Sequence, residues 1–198
     1  METREERRLL CCAKRRRSPL ADKRTRWGPA PTGMEWVTPA EKAAGQLSAE
    51  KLARVVDKYE RDGLCVLAGV IDTDVLDALA HRYDFDAAHR YANGDQFKGN
   101  QRGPALNPEY DGNLHLQLNL PRCHPYVHPE IVANPIIEQV AQAVLHGLVY
   151  IRYVNGNTAC PGATVQGLHV DTQGDWGQKL AVNFSVEDIT PENGASEH

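Results

Sequence analysis

The residues best suited to chemistry are His169 and Asp171, which stand two positions apart in the sequence. On a β-strand this spacing places both side chains on the same face. An imidazole nitrogen and a carboxylate oxygen held together supply two of the three ligands of the facial triad, which binds non-heme Fe(II) and leaves coordination positions open. The spacing therefore predicts an iron site, which a second histidine from elsewhere in the chain would complete.

The residues around this pair favour a strand, although a histidine two residues before an aspartate also arises by chance. Gly167 precedes the pair, and a Gly/Trp loop over residues 174–177 follows it. The next segment, 180–186, is rich in apolar residues and comes before a turn at 191–194. These features predict a strand, a loop and a second strand. A chance motif without a metal remains the alternative.

Other polar residues have weaker claims to a site. His124 and His128 are four residues apart, but the prolines around them disfavour the helix on which such a pair binds metal. We expect them to pack in a turn or to lie near a substrate. Arg152 falls in a predicted strand, where it would pair with an anionic ligand or with a surface acid. His146, near the end of a predicted helix, complements the helix dipole.

Hydrophobic periodicity predicts helices and strands in the body of the chain. Ser48 and Asn134 have the side chains of helix N-caps, and Gly63 is the residue type that ends a helix. A further helix follows Asp72 or Asp74, and we expect an irregular region over residues 84–112. The predicted strands are residues 64–70, 114–120, 148–154 and 180–186, with a loop at 155–162.

The charges divide the 198-residue chain into two parts. Residues 1–26 carry ten Lys and Arg against four acids, whereas the rest carries 22 acids against 12 bases. We therefore expect a basic, largely disordered arm over residues 1–44 and one folded domain over residues 45–198. The arm would be a solvated tail, or a nuclear-import or nucleic-acid patch, and we prefer the tail. Nucleic acid is not an expected partner.

Composition also bears on the cellular compartment. The chain has no run of 18 apolar residues, which predicts that no helix spans a membrane. Five cysteines, odd in number and without C-x-x-C spacing, indicate a reducing compartment and no zinc site. The expected location is the cytoplasm, with the basic arm as a candidate targeting segment.

Three parts of the chain, in order, resemble the phytanoyl-CoA dioxygenase family of Fe(II)/2-oxoglutarate oxygenases. The first is the Tyr-Glu-Arg-Asp-Gly sequence at 59–63 with the strand and helix after it. The second is His169-Val170-Asp171, and the third is the Glu-Asn-Gly turn at 192–194. The resemblance implies a mainly β fold with flanking helices, a cupin-like double-stranded β-helix or jelly roll. It also implies Fe(II) as the metal, with 2-oxoglutarate and O2 as co-substrates.

Position by position, His169 and Asp171 match the first two iron ligands of that family. The resemblance places Arg152, Asn155 and Asn183 near the 2-oxoglutarate. The family's Pro-Gly-Ser/Thr-His segment, distal iron-binding histidine and basic anchor for 2-oxoglutarate are absent after the Glu-Asn-Gly turn. His198, the only later histidine, is then the remaining candidate for the third ligand. We accordingly expect a jelly roll that is incomplete at its C-terminus.

The resemblance implies a hydroxylase that oxidises a small organic or acyl substrate, a class that the sequence does not narrow further. The alternative is a catalytically inactive, truncated jelly-roll fragment that acts as a binding protein. A metal-free jelly roll that binds a sugar or metabolite ranks third. Iron binding that depends on Asp171 distinguishes the first reading from the other two.

Overall fold

A computed structural model describes residues 34–92, 115–159 and 178–190 of the chain. Within these ranges the chain forms five helices and four short strands. The helices are α1 (Pro39–Ala44), α2 (Ala49–Asp62), α3 (Thr73–Ala92), α4 (Pro129–Val132) and α5 (Pro135–Leu145). The strands are β1 (Met34–Trp36), β2 (Val66–Ala68), β3 (His115–Asn119) and β4 (Asn155–Ala159). Helices therefore dominate the regular structure of the described residues.

Residues 34–44 fall within the predicted basic arm, and they form β1 and α1. The hydroxyl of Thr38 accepts a hydrogen bond from the Glu41 N–H at 3.2 Å, and the Glu41 carboxylate accepts one from the Thr38 N–H at 2.9 Å. This reciprocal capping box satisfies N–H groups that the first turn of a helix otherwise leaves unpaired. Gly45 ends α1 in the left-handed region, at φ 63°. Local hydrogen bonds thus order α1, whereas β1 is held by its pairing with β2.

Helix α2 begins and ends where the sequence predicts. The Ser48 hydroxyl accepts a hydrogen bond from the Lys51 N–H at 3.2 Å, and Gly63 ends the helix at φ 77°. Both predictions are confirmed. Glycine suits this terminal position because φ is positive, a conformation that other residues adopt at a cost.

The hydrophobic core lies between α2, α5 and the segments beside β1 and β2. Its buried members are Val37, Leu47, Val55, Val70, Ile136 and Val140. The side-chain amide of Gln139 also joins α5 to Leu47, accepting from the Leu47 N–H at 2.9 Å and donating to the Leu47 carbonyl at 3.4 Å. This amide satisfies both backbone groups of a buried residue that belongs to no helix or strand.

Asn134 is the predicted cap of α5, and the structure confirms it. Its side-chain oxygen accepts hydrogen bonds from the N–H groups of Ile136 and Ile137. Its amide nitrogen donates to the carbonyls of Glu130 at 3.1 Å and Val70 at 3.4 Å. Asn134 is buried, and these four bonds satisfy its polar atoms while they connect α5 to the segment after β2.

Helix α3 continues to Ala92, so the predicted irregular region is wrong for residues 84–92. Arg82 donates to Asp86 at 3.0 Å across one helical turn. Such i, i+4 ion pairs stabilise a helix independently of the packing of its apolar residues. None of the helices in the described ranges is long and apolar enough to cross a membrane. The prediction of no membrane-spanning helix therefore holds for those ranges.

The strand predicted at 114–120 is confirmed as β3, residues 115–119. It pairs antiparallel with β4, with Asn119 opposite Asn155. Residues 148–154, predicted as a strand, form neither helix nor strand, and the predicted loop at 155–162 begins with β4. Continuing this register would bring Pro121 into the pairing, and proline has no N–H to donate. The pairing therefore stops before it reaches the predicted strand.

The prediction of a mainly β jelly roll, incomplete at its C-terminus, is wrong for the described residues. Their strands form two separate two-stranded sheets, β1 with β2 in parallel and β3 with β4 antiparallel. A jelly roll requires two multi-stranded antiparallel sheets packed face to face. The apolar run 180–186, predicted as a further strand, has no strand structure. Its Val182 and Phe184 side chains are exposed, so the run does not pack into a core.

Candidate functional site

The predicted iron ligands His169, Asp171 and His198 all lie outside the described residues. The structure therefore gives no geometry for the motif. In ranges 34–92, 115–159 and 178–190, no group of three or more His, Cys, Asp or Glu side chains is arranged to hold a metal ion.

The three residues that the resemblance places near 2-oxoglutarate lie on two separate segments. Arg152 is exposed in the irregular segment before β4, and Asn155 is the exposed first residue of β4. Asn183 is exposed in the irregular segment 178–190. No hydrogen bond joins Asn183 to either of the others in the part of the chain that the structure describes. Arg152 and Asn155 are thus near each other only because they are close in sequence.

His124 and His128 lie in a turn and not on a helix, as their neighbouring prolines predict. The ring centroids of the two histidines lie 6.3 Å apart in an edge-to-face arrangement, and the peptide bond before Pro125 is cis. His128 is the N-cap of α4, where its Nδ1 accepts a hydrogen bond from the Glu130 N–H at 3.3 Å. One ring nitrogen is therefore used in capping, which supports the turn-packing interpretation over a metal-binding pair.

Tyr126 of this turn forms a polar cluster with Arg82 and Asp86 of α3, which the sequence did not predict. The hydroxyl of Tyr126, a side chain only 2% exposed, donates to Asp86 Oδ2 at 2.6 Å. Arg82 Nε donates to the same oxygen at 3.0 Å. Burial, and then the hydrogen bond and charge of Asp86, raise the pKa of Tyr126 above its ordinary value. The phenol is accordingly neutral at physiological pH. Its hydrogen bond connects the turn that carries His124 and His128, here called the histidine turn, to α3.

Sequence offered one signal for this cluster. Arg82 and Asp86 are four residues apart, the spacing of an ion pair on a helix. Because the predicted irregular region begins at residue 84, the predicted helix ends before Asp86 and does not contain the pair. Tyr126 had no such signal, since its partner is 40 residues away along the chain.

A second polar cluster joins three elements through Lys42. Its ammonium group lies 2.6 Å from Asp72 Oδ1 and 3.1 Å from Glu130 Oε2. Glu130 Oε2 also accepts a hydrogen bond from the Asp72 N–H at 2.7 Å. Partial burial lowers the pKa of Lys42, but hydrogen bonds to the two carboxylates outweigh it and the net pKa is raised. These contacts form a structural link between α1, the start of α3 and α4.

Glu41 has the most strongly shifted carboxyl pKa among these residues. Hydrogen bonding to Lys51, followed by the hydrogen bond from the Thr38 N–H, lowers the pKa of Glu41 from 4.5 to about 2. Lys51 Nζ also donates to the Trp36 carbonyl at 2.8 Å. Glu41 thus serves the capping box and an ion pair at once, and both are structural roles.

Comparison with known proteins adds no family to this description. No protein-family model matches the chain. No solved structure matches it either.

Proposed function

We propose that this chain is an Fe(II)- and 2-oxoglutarate-dependent dioxygenase that hydroxylates a small organic or acyl substrate. The observation that carries the proposal is the sequence His169-Val170-Asp171, followed by the Glu-Asn-Gly turn at 192–194. The pair offers an imidazole nitrogen and a carboxylate oxygen, and non-heme Fe(II) accepts both donor types. The donor chemistry therefore fits the metal, and the support comes from these sequence motifs.

Each candidate residue has a defined task in this proposal. His169, with a neutral ring, and Asp171, as a carboxylate, would hold the metal, and His198 is the candidate third ligand. Bound iron would supply the activation of O2 that couples oxidation of 2-oxoglutarate to hydroxylation of the substrate. Arg152, an exposed residue, would bind a carboxylate of 2-oxoglutarate through paired hydrogen bonds. Asn155 and Asn183 would contribute amide hydrogen bonds to the same ligand.

The test is an anaerobic titration of the full chain with Fe(II) in the presence of 2-oxoglutarate. We expect the weak visible charge-transfer band that arises when both bind at one centre. Asp171→Ala removes the carboxylate ligand and should abolish the band. Asp57→Ala, which removes an exposed carboxylate on α2, is the matched control and should leave it unchanged.

A second comparison tests the third ligand. His198→Ala should weaken iron binding, whereas His81→Ala, at an exposed position on α3, should not. A folded wild-type chain that binds no Fe(II), or an Asp171→Ala variant that keeps the band, would contradict the proposal. The alternative, a non-catalytic binding protein, would then take its place.

A further inference from the structure

Residues 148–154, here called the apolar segment, present large apolar side chains to solvent. The exposed fractions are 97% for Leu148, 86% for Tyr150, 56% for Ile151 and 59% for Tyr153. Scattered exposed apolar residues are normal in proteins, but a contiguous group of this kind marks an interaction surface. The proposed function uses only Arg152 from this segment and does not explain the others.

The segment has the composition of a strand but has no strand partner within residues 34–92, 115–159 and 178–190. Val, Ile and Tyr are the residues that pleated sheets favour. The segment leads directly into β4, yet β3 ends before Pro121 and cannot extend the pairing to it. Apart from Arg152, its residues make no hydrogen bond to another segment within the described ranges. Their backbone groups are available to another chain, as at an open sheet edge.

We infer that the apolar segment pairs antiparallel with the same segment of a second copy of this chain, forming a two-fold symmetric dimer. With Ile151 on the symmetry axis, Ile151 lies opposite itself and Val149 lies opposite Tyr153. These residues alternate along the strand, so one face of the pairing is wholly apolar. A two-fold contact of this kind closes on itself and stops at two copies.

The charges of the segment agree with this register. Arg152 is its only charged residue, and the pairing places it opposite Tyr150 of the other copy. Like charges are therefore not opposed, which would destabilise a strand pair. The sequence is thus complementary to itself in the antiparallel direction.

The exposed apolar area limits how much surface the dimer can bury. Two tyrosines, a leucine and an isoleucine offer at most roughly 700 Å² per copy, and pairing along one edge covers part of this. Stable interfaces bury about 800 Å² per partner. We therefore expect a dimer that dissociates on dilution. The inference rests on the apolar segment and not on the proposed function. Its test measures the mass of the protein and not iron binding.

Sedimentation equilibrium of the full chain tests the dimer. The average mass should rise with concentration from that of one chain toward that of two. Ile151→Lys places two ammonium groups on the symmetry axis and should keep the chain monomeric over the same range. Val182→Lys, at a position of similar exposure outside the segment, is the matched control and should still dimerise.

Cross-linking tests the register. Under mild oxidation Ile151→Cys should form a covalent dimer, because residue 151 faces itself across the axis. Leu148→Cys lies opposite Val154 and should link no more than the parent chain. A monomeric wild-type chain, an Ile151→Lys variant that still dimerises, or a mass that grows beyond two copies would overturn the inference. Asp171→Ala should dimerise normally, which separates this result from the test of iron binding.

Discussion

Tyr126 links the histidine turn to α3 through a single buried hydroxyl. Tyr126→Phe removes its hydrogen bond to Asp86 and keeps the buried ring. Because a hydrogen bond to a charged group contributes about 1.5–3 kcal/mol, we expect a loss of this size in the free energy of unfolding. Urea denaturation measures it. Tyr59→Phe, which removes a hydroxyl that bonds to no described residue, should change stability little, and equal losses in both variants would contradict the assignment.

Glu41 predicts how stability changes in acid. Its folded-state pKa, about 2, lies below the ordinary value of 4.5. The stability it contributes is therefore fully present above about pH 4.5 and is lost as pH falls toward 2. Across this window we expect the stability of the wild-type chain to fall more steeply than that of Glu41→Gln, which has no carboxyl to titrate.

Denaturation at a series of pH values measures this difference. Glu60→Gln removes an exposed carboxylate of α2 that makes no ion pair within the described residues. Its pH profile should follow that of the wild-type chain. A Glu41→Gln profile parallel to both would show that the ion pair with Lys51 does not form in solution.

At the scale of elements, the contact between α3 and the β3–β4 pair depends on Gly156. A Cβ atom at this position would lie 2.3 Å from the Tyr83 ring, whose hydroxyl accepts a hydrogen bond from Thr158 at 3.0 Å. Gly156→Ala must displace the ring and should cost about 1–3 kcal/mol of stability, as overpacking does. Thermal denaturation checks this.

Gly147 provides the matched control for this substitution. A Cβ added there meets no atom within 4 Å, and its φ is not positive. Gly147→Ala should therefore be neutral or slightly stabilising. If Gly156→Ala were equally harmless, α3 would not pack on β4 as the structure shows.

Both ends of α2 and the start of α5 were predictable from sequence, whereas two of the four predicted strands are wrong. Ser48, Gly63 and Asn134 act as predicted because a cap involves only residues a few positions away. The segments 148–154 and 180–186 have strand-like composition but form no strand. A strand needs a partner that is distant in sequence, and a pattern of apolar residues does not specify that partner.

At the scale of the whole molecule, the structure predicts a helix-rich chain. The far-ultraviolet circular dichroism spectrum of the full chain should show the double minimum of α-helix, because the helices contain most of its regular structure in the described ranges. A spectrum dominated by β-structure would instead favour the jelly roll that the structure contradicts.

The candidate functional residues also include some that the sequence predicts and some that only the folded chain shows. His169 and Asp171 are two positions apart in the chain, so the sequence alone suffices to propose that they bind one metal ion. The cluster of Tyr126, Asp86 and Arg82 depends on a turn and a helix that meet only in the folded chain. No local sequence pattern predicts the contact between this turn and this helix.

Local sequence was enough to predict the caps Ser48, Gly63 and Asn134, the turn around the prolines, the strand at 115–119 and the donor types available for a metal. These depend on local sterics, local hydrogen bonds and side-chain chemistry. The fold, by contrast, established that α2 and α5 enclose the core, that β3 pairs with β4, and that no described element covers the apolar segment. These outcomes depend on which distant surfaces bury one another and on where Pro121 ends the pairing of strands.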